Sequence, residues 1–158
     1  MDFNFTEEQL MIQDVARRLA QEKIAPSAEH HDRTGEFPLE NIRTLGENGL
    51  MGIEVPAEYG GAGMNVSQYC RTIRELSYAM PCFRSITSIN IGMVCSAIMK
   101  GGTAEQKAHW LPRLAAGEIA SFGLTEPGSG SDSAAMQTMA VRSGNGYVLN
   151  GTKRYITN

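Results

Sequence analysis

The feature of the sequence that most constrains its fold is a change of periodicity near Gly117. Before this glycine, apolar residues recur at the three- and four-residue spacing of amphipathic helices. After it, short apolar runs alternate with turn residues. A chain that changes from helices to strands in this way is typical of the α+β class. We therefore predict an all-α helical bundle over residues 1–117 and the first strands of a β domain over residues 118–158.

The helical part carries clear local signals for where helices start and stop. Thr6 and Thr103 each stand three residues before a glutamine, which is the spacing of a capping box. Because proline lacks a backbone N–H, we expect Pro26 to end the first helix nearby. Either Gly46 or Gly49 is expected to supply the left-handed cap of the second helix.

Further expectations concern the interior of the bundle. The run from Phe83 to Met99 carries few charges, so we predict a helix near the centre of the bundle. Trp110 is expected to belong to the core. Cys70 and Cys82 stand among apolar residues, and we expect them to be small buried side chains.

The β part is predicted to contain several short strands. Apolar and β-branched runs mark them at Ile119–Thr125, Thr138–Arg142, Tyr147–Leu149 and Lys153–Thr157. The dipeptide Asn150-Gly151 is a hairpin signal, because both residues tolerate positive φ. A few strands without partners leave backbone groups and an apolar face unpaired. We therefore interpret the chain as a truncated piece of a longer protein.

Composition argues against several classes of function. The 158 residues carry a formal net charge of −3 and no basic cluster, so we expect no nucleic-acid partner. Neither the three widely spaced cysteines nor His30, His31 and His109 show metal-ligand spacing. Residues 1–4 do not open a signal peptide, and no apolar stretch approaches the ~20 residues of a membrane span. We expect a cytoplasmic protein without a metal or a membrane partner.

The most unusual segment is Thr125–Asp132, which is rich in glycine and serine. Small residues let the backbone approach a ligand closely, and successive N–H groups in such a turn can bind anions. A plain surface loop between strands is the alternative. Glycine spacing elsewhere does not fit a dinucleotide-binding fold. The stretch Gly146–Lys153 has the glycine spacing of a P-loop, but its lysine follows the threonine and its context is a hairpin, so we reject that site as well. Glu54, Glu58 and Glu126 lie far apart in sequence, so their spacing identifies no general base.

Five segments together resemble one family, the acyl-CoA dehydrogenases. In chain order they are Phe5–Gln9, Gly49–Gly63, Gly102–Lys107 followed by Trp110–Pro112, Phe122–Asp132 and Leu149–Asn158. The resemblance implies an N-terminal helical domain, a middle β-barrel domain and a C-terminal four-helix bundle. Residues 1–158 would then hold the helical domain and the first strands of an incomplete β-barrel, with the C-terminal bundle absent.

The resemblance also implies the cofactor FAD and a set of residues that contact it. By position, Phe122, Leu124 and Thr125 would line the isoalloxazine ring and its pyrimidine edge. Gly130 and Ser131 would lie near the pyrophosphate, and Ser131 also near the acyl-CoA substrate. Donors at such positions would stabilise the negative charge that a flavin gains when it accepts hydride.

A second implied segment covers the other side of the flavin. Tyr155, Ile156 and Thr157 would form it, with Thr157 placed to hydrogen-bond at N5. An aromatic ring at Tyr155 can pack on the flavin face. Relatives often carry tryptophan at this position, and the difference concerns packing rather than chemistry.

The activity implied by the resemblance is the α,β-dehydrogenation of acyl-CoA thioesters in fatty acid metabolism. A glutamate base removes the α-proton while the β-hydrogen leaves as hydride to flavin N5. That glutamate belongs to the C-terminal bundle, so no catalytic base is named in this chain, and the 158 residues alone are expected to be inactive. Implied partners are acyl-CoA, an electron acceptor such as an electron-transfer flavoprotein, and other copies in a full-length homo-oligomer. A flavin oxidase or monooxygenase on the same scaffold and a non-catalytic interaction module stay open as alternatives.

Overall fold

The computed structural model describes residues 5–158. The prediction about a signal peptide at residues 1–4 lies outside the described residues. The chain divides into two compact units, of which the first ends at Ala120 and the second covers Ser121–Asn158. The first unit is helical and the second contains a two-stranded antiparallel sheet, so the predicted α+β class is confirmed.

Seven α-helices form the described part of the first unit. They are α1 (Glu7–Leu19), α2 (Ala25–Thr34), α3 (Leu39–Glu47), α4 (Val66–Ala79), α5 (Cys82–Thr87), α6 (Ser96–Gly101) and α7 (Ala104–Ala115). Two π-helical segments make longer continuous runs from these pieces. Ala20–Ile24 joins α1 to α2, and Ser88–Cys95 joins α5 to α6.

The predicted capping boxes are both present. The Thr6 hydroxyl accepts from the backbone N–H of Gln9, and the Thr103 hydroxyl accepts from that of Gln106. Each glutamine side chain in turn accepts from the backbone N–H of its threonine. These contacts satisfy N–H groups that would otherwise lack partners at the starts of α1 and α7.

Pro26 does not end the first helix, which corrects the expectation from sequence. The π-helical segment Ala20–Ile24 widens the helix directly before it, and Pro26 falls in the first turn of α2. Since the helix continues through this point, the missing N–H of Pro26 is accommodated by the wider π-helical turn before it rather than by a free helix start. The helix ends instead at Gly35, whose φ of 72° is left-handed.

Two apolar clusters fill the interior of the first unit. The larger contains Ala16, Ala20, Ile24, Ile42, Leu45, Leu50, Met51, Ile53, Leu76, Phe83 and Ile86. The smaller contains Val55, Cys95, Leu111, Leu114 and Ala115. Helices α1, α3, α4, α5 and α7 all contribute buried side chains, so packing of their apolar faces stabilises the bundle more than local helix propensity does.

The run Cys82–Gly101 is a 20-residue helix with a mean hydropathy of 1.3. The statement that no apolar stretch approaches the length of a membrane span was therefore wrong. The π-helical segment keeps the run continuous, and Arg84 and Lys100 stand near its two ends. Phe83 and Ile91 are buried in the helical unit, but only 33% of the apolar window of this helix is buried, so the helix is less enclosed than predicted. By length and composition alone, a core helix and a membrane span look alike here.

Three side chains expected in the interior are exposed. Cys70 and Cys82 lie at the surface. On α4 the buried positions are Gln68, Thr72, Glu75 and Leu76, and Cys70 falls on the opposite side of the helix. Trp110 is 42% exposed, and its ring packs under the Arg113 guanidinium at 4.9 Å from the ring centroid. Local apolar composition did not show which face each helix buries.

The second unit carries one hairpin, formed by β1 (Met139–Ser143) and β2 (Gly146–Asn150). The strands are antiparallel, and Ser143 pairs with Gly146 across a two-residue turn. Gly144 begins that turn with a φ of 58°, a conformation that glycine adopts without steric cost. The Asn150-Gly151 hairpin signal was wrong, because no strand follows it to pair with β2 in the described chain.

The strands predicted at Ile119–Thr125 and Lys153–Thr157 do not form. One backbone hydrogen bond joins these segments, from Arg154 N to Thr125 O at 2.9 Å. Tyr155 then turns the chain with a φ of 58°, which is incompatible with an extended strand. A ladder needs a series of backbone hydrogen bonds to one partner, and in the described residues these two segments share only this one.

Candidate functional site

The glycine-rich loop that the sequence singled out is held in a defined turn. The backbone groups of Glu126 and Ser129 exchange two hydrogen bonds, at 2.9 and 3.2 Å. The Ser129 hydroxyl donates to the carbonyl oxygen of Asp132 at 2.7 Å. A Cβ at Gly128 or Gly130 would meet no atom within 4 Å, so this loop presents open backbone on its outer side.

Glu126 organises the segments around this loop. Its side chain is only 7% exposed. One carboxylate oxygen accepts from the backbone N–H of Gln137 at 2.6 Å, and the other accepts from that of Thr138 at 3.0 Å. The Lys153 ammonium also donates to it at 2.8 Å. The hydrogen bond from Lys153, followed by those from Thr138 and Gln137, lowers the pKa of Glu126 to about 2.

Lys153 connects the two segments that the sequence assigned to a flavin. Its ammonium donates to the carbonyl oxygen of Leu124 at 3.0 Å, in addition to its bond with Glu126. The next residue, Arg154, donates its backbone N–H to the carbonyl oxygen of Thr125. The structure therefore brings the stretch 124–126 directly beside residues 153–154. We call the Glu126–Lys153 pair, with its bonded backbone groups, the clasp.

The predicted contact residues lie on both sides of the clasp with their side chains accessible. Phe122 and Thr125 are half-buried. The others are exposed, namely Leu124, Gly130, Ser131, Tyr155, Ile156 and Thr157. Among residues 5–158, none of these side chains hydrogen-bonds to another. The clasp thus joins the two segments through neighbouring residues and through the backbone carbonyls of Leu124 and Thr125. It leaves the side chains of the predicted contacts without hydrogen bonds in the described chain.

The unengaged groups fit a flavin chemically. Within the described chain, the hydroxyls of Thr125, Ser131 and Thr157 have no protein hydrogen-bond partner, so all three are available as donors. Tyr155 is 79% exposed, and the Arg154 guanidinium lies over its ring at 4.8 Å from the centroid, so a flavin contact would use the opposite face. Donor hydroxyls and one aromatic ring are the groups that a polar, planar ring system requires.

A groove of about 490 Å³ lies on another side of the clasp. It is lined by Glu126, Pro127, Gly128, Gln137, Thr138, Met139, Asn150, Gly151 and Thr152. The Thr138 hydroxyl is buried there without a hydrogen-bond partner in the described structure. None of the predicted flavin contacts lines this groove.

The glutamates provide no free base in the described chain. The carboxylate of Glu126 is already engaged by three donors and keeps a low pKa. Burial raises the pKa of Glu54, but this residue belongs to the helical unit and Glu58 is exposed there. In the part of the chain that the structure describes, no group of His, Cys, Asp and Glu side chains could hold a metal ion.

Sequence reasoning missed the roles of Glu126 and Lys153. Both stand inside the segments that carry the family resemblance, but neither was assigned a contact. The only signal was a carboxylate and an ammonium placed next to predicted contact residues in two separate segments. Their pairing depends on the fold, since 27 positions separate them in sequence.

Comparison with known proteins gives one consistent family. The model for the acyl-CoA dehydrogenase N-terminal domain matches residues 6–118, and that for the acyl-CoA dehydrogenase middle domain matches residues 121–158. A short-chain specific acyl-CoA dehydrogenase of Clostridium acetobutylicum is 44% identical over the whole chain. The chain spans 42% of the length of that relative.

Solved structures agree with this comparison. A chain from a structure of the electron transferring flavoprotein of Acidaminococcus fermentans, concerned with flavin-based electron bifurcation, superposes with a TM-score of 0.96 and 42% identity. That match covers 100% of this chain and 42% of the other. A glutaryl-CoA dehydrogenase of Mycobacterium smegmatis in complex with FADH2 has a TM-score of 0.90 and 37% identity, covering 98% of this chain and 40% of the other.

Proposed function

The chain belongs to the acyl-CoA dehydrogenase family, and on that premise we propose that it is the N-terminal part of an FAD-dependent acyl-CoA dehydrogenase. Residues 1–117 form its helical domain, residues 118–158 begin its middle β domain, and a C-terminal helical bundle completes the protein. The observation that carries the proposal is the clasp, which places the two predicted flavin segments side by side.

The proposed reaction is the α,β-dehydrogenation of an acyl-CoA thioester. Bound FAD supplies a hydride acceptor at N5. The part played by this chain is to bind and orient that cofactor. Thr125 and Thr157 offer hydroxyls to its polar edge, while Phe122 and Tyr155 offer apolar and aromatic surface to its rings. No residue of this chain is proposed as the base.

The proposed contacts to the flavin and the substrate follow the two segments. Leu124 and Ile156 pack near the ring, and Gly130 and Ser131 lie by the pyrophosphate, where open backbone allows close approach. Ser131 is also the proposed contact with the acyl-CoA. The exposed hydroxyl of Ser131 and the unobstructed Gly130 support this assignment.

The partners and the cellular setting are proposed from the same premise. The full-length protein passes electrons to an acceptor such as an electron-transfer flavoprotein, and the match to a chain in such a structure supports this. We place it in fatty acid metabolism, in the cytoplasm, as a homo-oligomer. No nucleic-acid or membrane partner is proposed.

An absorbance experiment on the full-length protein tests the function. We expect the purified protein to carry a yellow flavin that loses its colour when a saturated acyl-CoA is added without oxygen. Turnover with an electron-accepting dye should follow, with formation of the α,β-unsaturated thioester. A protein that carries no flavin, or whose flavin is unaffected by every acyl-CoA supplied, would refute the proposal.

A further inference from the structure

Lys153 makes contacts that are unusual for a lysine. Its ammonium donates to the Glu126 carboxylate and to the Leu124 carbonyl oxygen, and it lies 3.5 Å from the Met136 sulfur. Lysine is usually a solvated surface charge. The ammonium here is directed inward and joins three separate stretches of chain.

Glu126 completes the same arrangement from the other side. Both of its oxygens accept backbone N–H groups, from Gln137 and Thr138, which lead into β1. Burying such a pair carries a desolvation cost that an apolar pair would avoid. A charged pair can instead fix the relative positions of backbone segments, because each of its hydrogen bonds holds one backbone group in place.

The fixed backbone positions adjoin the proposed flavin contacts. Lys153 holds the carbonyl of Leu124, and the neighbouring Arg154 holds that of Thr125. Tyr155 follows immediately and leaves the extended conformation, with a φ of 58°. Movement of Lys153 would therefore shift both flavin segments together.

We propose that Glu126 and Lys153 are positioning residues for the flavin, which set the spacing of its two binding segments without touching it. The inference rests on the proposed function, since it requires that the segments bind a flavin. It differs from that function in assigning a role to two residues that make no contact with the cofactor. Disruption of the pair should weaken flavin binding and change the surroundings of the bound flavin ring, while the helical unit stays folded.

The test uses full-length protein with Lys153→Met, Lys153→Arg or Glu126→Gln. Arg113→Met serves as the matched control, because it breaks the Arg113–Glu118 ion pair of the helical unit, at 2.6 Å. The measurements are the FAD dissociation constant from fluorescence, the visible circular dichroism of the bound flavin, and helix content from far-ultraviolet circular dichroism. At metal sites, removing a partner that orients a ligand typically weakens binding by about 10- to 100-fold, and we expect a loss of the same order for flavin segments held in this way.

We expect Lys153→Met and Glu126→Gln to weaken FAD binding by about tenfold or more and to change the visible circular dichroism of the flavin. Lys153→Arg should restore most of the affinity, and Arg113→Met should leave affinity and spectrum unchanged. Changes of less than about twofold in both disrupting variants would overturn the inference.

The outcomes also separate this inference from the proposed function. Wild-type protein that binds no FAD would refute the function itself. Wild-type protein that binds FAD, together with clasp variants of unchanged affinity, would refute only the positioning role. If Lys153→Arg and Glu126→Gln both fail to fold, the pair is required for folding of the β domain and not for positioning the flavin segments. This outcome also contradicts the inference.

Discussion

At the scale of single residues, the buried carboxylate of Glu75 shows how a charge can be kept inside the helical unit. Burial raises the pKa of Glu75, but hydrogen bonds from Arg17, Gln13 and Arg74 outweigh it and lower the pKa to about 2. The Gln13 amide donates at 2.5 Å and the Arg17 guanidinium at 3.2 Å. These contacts join α1 to α4 through a charged group rather than an apolar one.

We predict that Glu75→Gln lowers the free energy of unfolding by about 2 kcal/mol at neutral pH, because the amide removes the negative charge that pairs with Arg17 and Arg74. A carboxyl with a lowered pKa in the folded state stabilises the protein above its ordinary pKa of 4.5. That stabilisation is lost as the pH falls towards about 2. The variant should therefore show a weaker loss of stability over this range in urea unfolding.

Glu40→Gln is the control for this prediction. Glu40 pairs with Arg43 at 3.6 Å on the exposed face of α3. Exposed pairs contribute about 0–1 kcal/mol, so this change should leave both stability and its pH dependence nearly as they were. Equal effects of the two substitutions would show that burial of Glu75 does not matter.

Residue-scale predictions from sequence succeeded only where the signal was local. Thr6 and Thr103 were correctly identified as caps, because their partners lie three residues away. Cys70 and Trp110 were wrongly assigned to the interior, because burial depends on which face of a helix meets its neighbours. The pairing of Glu126 with Lys153 is a long-range contact that no local pattern encodes.

At the scale of elements, helix α3 packs against the turn that follows α7. Gly46 is buried on α3, and a Cβ there would come within 2.8 Å of the Gly117 Cα and closer still to the Ala116 carbonyl. The left-handed residue after α3 is Gly49, with a φ of 72°. The sequence left Gly46 and Gly49 as alternative caps of this helix. Gly49 ends the helix, and Gly46 permits close packing.

Gly46→Ala should therefore destabilise the protein by about 1–3 kcal/mol, because neither contacting backbone can move aside. Gly101→Ala is the matched comparison, since Gly101 is also helical and a Cβ there meets nothing within 4 Å. That substitution should be neutral or slightly stabilising. Thermal unfolding of both variants measures the difference, and equal midpoints would contradict the packing argument.

Helices and strands could be predicted from sequence where residues close in sequence determine them. Helix starts could be identified from sequence, but the π-helical segments Ala20–Ile24 and Ser88–Cys95 could not, since packing against other helices selects them. The hairpin forms between the strands predicted at Thr138–Arg142 and Tyr147–Leu149, whereas the signal at Asn150-Gly151 forms none in the described chain. Strands need neighbours that continue the ladder, and in residues 5–158 the two predicted outer strands share a single backbone hydrogen bond.

At the scale of the whole molecule, recognition came from the order of several short segments rather than from any single motif. The family models match residues 6–118 and 121–158, in agreement with the resemblance read from sequence. The chain nevertheless spans only 42% of the length of the Clostridium relative. All ten residues of β1 and β2 are exposed, and they include Tyr147 and Leu149.

This exposure leads to a prediction for the 158-residue chain by itself. A cofactor is retained when its contacts enclose it, whereas most of the proposed contacts here are open to solvent, with Tyr155 at 79% and Leu124 at 36%. We expect the isolated chain to be colourless or to lose FAD on dilution, and to show no turnover of acyl-CoA with an electron-accepting dye. Gel filtration followed by an absorbance spectrum measures the retained flavin, with the full-length protein as the control. A stoichiometric yellow chromophore that survives dilution would show that residues 122–157 alone enclose the cofactor, and that the remaining length of the relatives adds nothing to its binding.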